Sequence, residues 1–323
     1  MKKLAPLLLL PVAILVALAV GATQIDGFWR ALLDPGSNEV LWQIRFPRVI
    51  AALIVGAALG IAGLMAQGAC NNALAEPAIL GTAAGASFGA VLSIALGLAE
   101  VGSIAAIAGG TLGALAVTSL SFKLASLRGA LSSFNLIIVG IAISAIFASL
   151  VGIATAVVDR ADARSISFWN FGSLALVTTD NLIGILVTTL IGAVIAWSIA
   201  PALDRLSLGD SAAFHLGVNV KQVRFLALAS LSLLAGGAVS TVGSIAFIGL
   251  AAPHIARFIF GPVHRGLVLQ SAVIGSLVVL IADTLSRTIA QPNELPIGLA
   301  TSLIGAPVLI ALVTFKNKVW KSQ

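Results

Sequence analysis

The sequence predicts an all-α membrane protein with ten transmembrane helices and both termini in the cytoplasm, built as a single domain across all 323 residues. Three observations support this prediction. The chain is 59% hydrophobic and only 9% charged, whereas soluble domains carry about 25% charged residues. Its apolar runs recur at the length of about 20 residues that a membrane-spanning helix needs. The polar segments between the runs leave no room for a second, soluble domain.

The apolar runs give ten predicted spans. The first, at residues 4–20, follows Lys2 and Lys3 and could instead be a cleaved signal peptide. Its apolar core is longer than the roughly 7–15 residues of a signal peptide, so we expect it to be retained. Pro47 is tolerated at the start of the second span because the first helical turn does not need its N–H. The other spans are predicted at 47–67, 79–98, 102–122, 134–158, 182–200, 225–239, 245–260, 267–282 and 296–315.

The charged residues orient these spans, because Lys and Arg concentrate in the cytoplasmic loops of membrane proteins. With the N-terminus inside, the inner side carries twelve of the 18 basic residues, including all seven lysines, and three of the 12 acidic residues. This bias predicts that both termini are cytoplasmic. The basic residues follow the topology and do not cluster on one soluble face. The net charge of +6 therefore indicates a lipid bilayer, and no nucleic acid, as a partner.

Three polar segments are predicted to lie outside the spans. The outer segment at 24–48 holds Trp29 and Trp42, which suit the interface between lipid and water. A short inner turn is predicted at 71–77 and a second outer segment at 283–294.

The most polar stretch lies on the inner side at residues 201–224, with the sequence PALDRLSLGDSAAFHLGVNVKQVR. Its apolar residues are spaced loosely, like one face of a short helix, and Gly209 and Gly217 interrupt it. A solvated loop, an amphipathic helix on the membrane and a surface on which a soluble partner acts all fit this pattern.

The predicted spans carry no charge near their centres, although secondary transporters and proton pumps usually bind a coupling ion there. Span five has a sparse polar character that suits a passage holding its cargo weakly. The alternative is that these side chains hydrogen-bond to neighbouring helices. They are Asn135, Ser144, Ser149 and Thr155.

No catalytic or metal site is visible in the sequence. His215, His254 and His264 lack the paired spacing of a zinc site, and small-residue packing is the expected role of Cys70, the single cysteine. The phosphate loop G-x-x-x-x-G-K-[ST] is absent. We therefore expect a protein that is not an enzyme and binds no cofactor. If ATP powers transport, the ATP and its Mg²⁺ are bound by partner ATPase subunits.

Residues 243–265, GSIAFIGLAAPHIARFIFGPVHR, resemble the signature of FecCD-type permeases, the membrane subunits of ABC importers for iron–siderophores, haem and vitamin B12. The family usually has Asn-Pro at Asn72-Ala73 and Gly-Pro-Ile-Gly at 243–246. Both departures are to small residues, so we expect unchanged roles. Four further stretches resemble the family in the correct order: WQIRFPRVIAALIVGAALGIAG at 42–63, NNALAEPAILG at 71–81, LGDSAAFHLGV at 208–218 and ADTLSRTIAQPNELPIGLATSLIGAPVLI at 282–310.

The resemblance implies the vitamin B12-type (type II) importer permease fold in the bacterial inner membrane. It also implies a second permease subunit, identical or related, two cytosolic ATPase subunits and an extracytoplasmic substrate-binding protein. In the family, outward arginines dock that binding protein, and the matching residues are Arg45, Arg48 and Arg287. Guanidinium groups pair with carboxylates bidentately. Anchoring to lipid phosphate, or internal pairing with Asp283 and Glu294, is the alternative.

The resemblance also places the passage and its gate. The passage is lined by span five, by span ten including Thr301, and by the segment at 165–173. Pro253 in span eight and Pro307 in span ten would break backbone hydrogen bonds and allow bends. The inner gate is placed at the turn between spans four and five, at Leu131, Ser132 and Ser133.

For residues 201–224 the resemblance implies a coupling segment that seats the ATPase. We expect 206–218 to fold as short helices, with tight turns at two glycines and with an aspartate that caps or pairs at a helix start. The residues predicted to act in coupling are Leu208, Gly209, Asp210, Ala213, His215, Leu216 and Gly217.

The expected function is that of a permease in a binding-protein-dependent ABC importer, with a ferric siderophore as cargo. Haem and vitamin B12 are the alternative cargoes; the chain has no Tyr and no His placed in the passage as a haem ligand. An ion-coupled secondary transporter would need a buried carboxylate or a broken-helix ion site, and neither is evident. A structural anchor for another enzyme would not need both an arginine-bearing outer face and a polar inner stretch.

Overall fold

The computed structural model is helical throughout the part of the chain that it describes, where it contains no strand. Six helices there are long and apolar enough to cross a membrane, and four shorter apolar helices accompany them. The all-α prediction is confirmed for those residues. The lysines near both ends, Arg128, Leu131 of the predicted gate and the end of predicted span ten lie outside them. The described residues are 5–21, 23–100, 102–127, 132–175, 177–290, 293–303 and 305–307.

The N-terminal region begins with a helix where the first span is predicted. The outer segment after it is not one continuous loop, because it contains a short helix and a π-helical turn. Trp42, within that turn, donates its indole N–H to the carbonyl of Ala31 at 2.9 Å and so ties the turn to the short helix. The elements are α1 (Ala5–Ala19), α2 (Phe28–Leu33), the π-helical turn (Val40–Arg45) and α3 (Phe46–Ala69).

Four helices follow, and serine side chains cap two of them at their N-termini. Ser103 Oγ accepts the N–H of Ala106 at 3.2 Å, and Ser132 Oγ accepts the N–H of Asn135 at 3.1 Å. Such caps satisfy backbone donors that the first helical turn leaves unpaired. The helices are α4 (Thr82–Ala95), α5 (Ile104–Ser126), α6 (Ser133–Val157) and α7 (Arg160–Asn170).

The C-terminal half contains three helices that are longer than predicted. Val220–Val242 extends past span seven, predicted at 225–239, at both ends, and two others run six or seven residues past their predicted C-terminal ends. One continues from span six into the polar stretch, because Leu203 and Leu206 keep an apolar face buried there. The other continues seven residues past the predicted end of span nine, so the expected outer loop at 283–289 is helical. The helices are α8 (Thr179–Leu206), α9 (Asp210–His215), α10 (Val220–Val242), α11 (Ile248–Phe260), α12 (His264–Ile289) and α13 (Ile297–Pro307).

α4 and α11 are too short to cross the membrane alone. Their 14 and 13 residues rise only about 20 Å, against a hydrocarbon core of about 30 Å. A 3₁₀ turn at Pro77–Leu80 leads into α4, and a non-helical stretch at 243–247 leads into α11. Irregular backbone is tolerated at membrane depth where protein surrounds it. Glu76 joins the two segments, because its Oε1 accepts the N–H of Phe247 at 2.9 Å.

The core lies around α3, α10 and α12, whose apolar residues are mostly buried inside the chain. α6 and α8 instead leave most of their apolar side chains exposed. A membrane helix can expose such side chains to lipid or to another subunit. The molecule therefore has a packed centre and two apolar outer faces.

Glycines allow the central helices to pack with their backbones in contact. A Cβ atom added at Gly63 of α3 would lie 1.7 Å from the carbonyl oxygen of Gly249 at the start of α11. The backbones touch directly there, as small residues allow in membrane helix packing. A side chain at Gly63 would therefore force the two backbones apart.

Gly63→Ala is therefore expected to lower the free energy of unfolding by about 3 kcal/mol, the upper part of the usual range for overpacking. Unfolding of the purified protein in detergent measures this. Gly266→Ala is the control, because nothing lies within 4 Å of a Cβ added there, and its effect should stay within about 0.5 kcal/mol. Equal stability of the two variants would show that the contact between α3 and α11 can relax.

Candidate functional site

The polar stretch at 201–224 is divided among α8, the short helix α9 and α10. α9 lies between Gly209 and Gly217, whose φ angles are +99° and +78°, so the turns and the short helix lie where the sequence predicts them. Ala213 is fully buried and fixes α9 against the body of the protein. The neighbouring apolar side chains are exposed, together with His215. They are Leu208, Phe214 and Leu216.

An exposed group of large apolar side chains on one face indicates a surface that contacts another protein or the membrane. Of this group, Phe214 lies on a helix of only six residues, and Leu208 and Leu216 flank that helix. One buried alanine and an ion pair hold the helix in place. That pair joins Asp210, the first residue of α9, to Arg224 of α10, with distances of 2.9 Å from both Nη1 and Nη2 to the two carboxylate oxygens. A bidentate pair of this kind fixes orientation as well as distance.

Arg224 is the residue that sequence reasoning missed. It is buried, and it binds three elements besides its own helix. In addition to Asp210, its Nε donates to the carbonyl of Ala69 at the end of α3 at 3.0 Å, and its Nη2 lies 3.3 Å from Ser133 Oγ. Ser133 is the first residue of α6 and belongs to the predicted gate. Arg224 therefore connects the exposed helix α9 directly to the N-terminal end of α6.

Cys70 lies next to this cluster, just past the end of α3. Burial raises the pKa of its thiol to about 12, although the charge of Arg224 opposes that shift. The thiol stays protonated at neutral pH, and only a thiolate is an effective metal ligand or nucleophile. These facts agree with the packing role expected from the sequence.

The polar residues predicted to line the passage bond mainly to backbone carbonyls. Ser144 Oγ donates to the carbonyl of Ala78 in the segment before α4 at 2.9 Å. This bond matches the alternative to a passage, in which these side chains hydrogen-bond to neighbouring elements. Ser149 and Thr155 donate to carbonyls one turn earlier in α6, and Thr301 does so in α13. Asn135 is exposed near the start of α6. These contacts do not test a passage, which stays a prediction.

The two prolines predicted to bend helices differ in what the structure shows. Pro253 lies inside α11 and is buried. The helix continues through it from Ile248 to Phe260. Pro307 is the last described residue of α13, so a bend there lies outside the described residues.

The three arginines predicted to dock a binding protein are buried. Arg48 pairs with Asp283 at 2.8 Å and with Glu294 at 2.9 Å. Arg287 lies 3.5 Å from the same Asp283. Asp283 is completely buried, so the expected outer loop instead supplies the centre of an internal ion-pair cluster.

Arg45 points in a different direction from Arg48. Its Nη1 donates to the carbonyls of Leu18 and Ala19, at 2.8 Å each. Arg287 likewise donates to the carbonyl of Ala17. Positive groups at a helix C-terminus satisfy its unpaired carbonyls and its dipole. These bonds fasten α1 to the π-helical turn and to α12, and docking by any of these arginines would require it to leave its internal partners. Docking stays a prediction.

Comparison with known proteins identifies the family. Residues 8–315 match the model of the FecCD transport family. The hemin transport system permease protein of Yersinia pestis is 35% identical, with 93% of this chain and 92% of that protein covered. The iron(3+)-hydroxamate import system permease protein FhuB of Bacillus subtilis is also 35% identical, with 96% of this chain and 82% of that protein covered.

A solved structure shares the fold. It is described as an inward-facing conformation of a metal-chelate type ABC transporter, and it superposes with a TM-score of 0.82 at 31% identity, covering 96% of this chain and 97% of that one. The relatives are permease subunits and not enzymes. This chain is accordingly an ABC importer permease that spans the bacterial inner membrane several times, and ATP hydrolysis resides in separate subunits. It belongs to the FecCD transport family.

Proposed function

We propose that this chain forms half of the translocation pathway of an ABC importer for a ferric siderophore. The observation that carries the proposal is the surface formed by α9. It exposes Leu208, Phe214 and Leu216, and it is fixed through Asp210 and Arg224 to the start of α6. A soluble subunit that moves α9 would therefore move the inner end of α6, where the gate is predicted.

Two cytosolic ATPase subunits are the partners proposed for this surface, and ATP and Mg²⁺ bind to them. A second permease subunit would cover the apolar side chains that α6 leaves exposed along most of its length. The cargo would then pass between the two copies of α6. A binding protein on the outer side would deliver the cargo.

The topology proposed is ten spans with both termini in the cytoplasm. The six long helices and the four shorter apolar helices α1, α4, α11 and α13 together supply that number. The short helices α4 and α11 complete their crossings with non-helical segments buried in protein, as described above. The charge bias of the loops supports the orientation.

The cargo is proposed from the relatives and from the wall of the passage. A permease for iron(3+)-hydroxamate is 35% identical to this chain. The exposed face of α6 is apolar with few polar groups, so it offers weak contacts that let a bulky chelate leave. The permeases for hemin and vitamin B12 are 35% and 33% identical, so haem and vitamin B12 remain the alternative cargoes.

Reconstitution into proteoliposomes with the cognate ATPase and binding protein tests this function. ATP-dependent uptake of a radiolabelled ferric siderophore is expected, and it should stop when either partner is omitted. Labelled haem and vitamin B12 are compared under the same conditions. Uptake driven by an ion gradient in the absence of the ATPase would refute the proposal, and a preference for haem or vitamin B12 would refute the siderophore assignment alone.

A further inference from the structure

A polar cleft opens between the inner ends of α3, α8, α11 and α12. Its volume is about 290 Å³, close to the lower limit of small-molecule sites, roughly 300–1,000 Å³. Arg257 from α11 and His264 from the start of α12 line the cleft opposite the polar turn that follows α3. The other polar residues in the lining are Gln67, Asn71, Asn72 and Ser207.

Arg257 brings a positive charge for which the described part of the chain offers no carboxylate within ion-pair distance. Its guanidinium donates to Gln67 Oε1, which is neutral. Among the described residues, the ion pairs within 4.0 Å do not include Arg257. A partly buried cation without an anionic partner is costly. The cleft therefore offers an incoming anion a guanidinium that pairs with no described carboxylate.

His264 also lines this cleft, and one of its ring nitrogens lacks a hydrogen-bond partner among the described residues. Its side chain is only 8% exposed, and its Nδ1 lies 2.7 Å from Asp204 Oδ1. A carboxylate only accepts hydrogen bonds, so Nδ1 carries the hydrogen and Nε2 is left for another partner. Nε2 is buried and has no hydrogen-bond partner among the described residues. It would accept the O–H of a hydrogen phosphate or, when the ring is protonated, donate to a phosphate oxygen.

The cleft lies at the level of the lipid headgroups. The guanidinium of Arg265, the residue after His264, stacks over Trp197 of α8 at 5.6 Å from the ring centre. Trp197 is exposed, and tryptophans in membrane proteins gather at the boundary between lipid and water. A charged group in the neighbouring cleft is therefore within reach of the inner leaflet.

We propose that this cleft binds a phosphate group through Arg257 and His264. Guanidinium is well matched to phosphate oxygens in charge and geometry. Basic pockets between membrane helices on the cytoplasmic side suit anionic headgroups, so a lipid of the inner leaflet is one source of the phosphate and free phosphate is the other. None of the side chains assigned to the α9 surface lines this site, and its occupancy can be measured without transport.

The test uses the purified full-length permease in detergent and follows its thermal midpoint as phosphatidylglycerol, phosphatidylcholine or inorganic phosphate is added. Phosphatidylglycerol should raise the midpoint of the wild type in a saturable way. Arg257→Gln should weaken this affinity at least about tenfold, the effect of losing one charge-assisted bond. Ala73→Phe, on the exposed rim of the cleft, should weaken it similarly without removing a charge, and it keeps the test valid if Arg257→Gln fails to fold.

Arg265→Gln is the matched control, because it removes an arginine at the same membrane level that does not line the cleft. We expect it to change the affinity less than about threefold. A response to inorganic phosphate alone, lost in Arg257→Gln, would support the site and overturn the lipid as its source. The proposal is overturned if no phosphate compound shifts the midpoint. It is also overturned if Arg257→Gln and Ala73→Phe respond as Arg265→Gln does.

Discussion

Asp283→Ala is expected to lower the free energy of unfolding by about 3–5 kcal/mol, the usual cost of removing one partner from a buried ion pair. Asp283 is completely buried and lies within ion-pair distance of both Arg48 and Arg287. Its removal leaves Arg287 without a described acidic partner and leaves Arg48 with only the partly exposed Glu294. Denaturant unfolding of the purified protein in detergent measures the loss.

Thr284→Ala is the control for this prediction. It changes the next residue of α12, whose hydroxyl bonds only to the carbonyl of Leu280 one turn earlier. The triple variant Arg48→Met, Asp283→Leu, Arg287→Met should recover most of the stability, because removing the three mutually paired buried charges together removes their desolvation cost. If Asp283→Ala is as stable as Thr284→Ala, the arginines do not depend on Asp283, and their docking role gains support.

The buried ion pairs of Arg48 complicate a simpler test of docking, in which the charge of this arginine is reversed. Reversing the charge of Arg48 would place a third carboxylate beside Asp283 and Glu294. Like charges that close together repel strongly in a buried site. Such a variant would lose stability whether or not Arg48 contacts a binding protein, so weakened docking would be informative only if the stability of the permease were measured alongside it.

The long helices could be predicted from the sequence because apolar length is what a membrane imposes. The half-length helices α4 and α11 could not. The segments before them, at 77–80 and 243–247, are as apolar as the helices, and hydropathy does not distinguish helical from extended backbone when both are buried. The signals that remain are Pro77 and Gly243, and each fits a helix end as well as a break.

In the candidate sites, the burial of charged residues could not be predicted from the sequence either. Asp283 and Arg224 stand at the edges of apolar runs, where a charge normally faces water. Their burial follows from partners far along the chain, since Arg48 is 235 residues from Asp283 and Ala69 is 155 residues from Arg224. The local sequence pattern around a residue contains no information on partners so far along the chain. Gly209 and Gly217 were predictable because a turn is a local requirement of the backbone.

Asp210→Asn is expected to reduce ATP-dependent uptake about 5- to 150-fold. This is the range of effects that typical coupling free energies between two sites produce. The substitution keeps the size of the side chain and removes the charge that holds α9 to Arg224. ATP hydrolysis by the assembled complex should continue, because the catalytic residues belong to other subunits. Uptake and hydrolysis are measured together in proteoliposomes, and their ratio reports the coupling.

Arg224→Lys should give an intermediate loss, since an ammonium group keeps the charge but not the bidentate geometry. Lys123→Gln, which removes an exposed charge at the inner end of α5, should transport normally and controls for the loss of an inner positive charge.

Ser133→Ala tests the contact between Arg224 and α6 separately from the contact between Arg224 and α9. It releases α6 from Arg224 while leaving α9 in place. If it uncouples hydrolysis from uptake as Asp210→Asn does, motion passes from α9 through Arg224 to the start of α6. Normal coupling in both Asp210→Asn and Ser133→Ala would mean that the ATPase acts on the gate through other contacts.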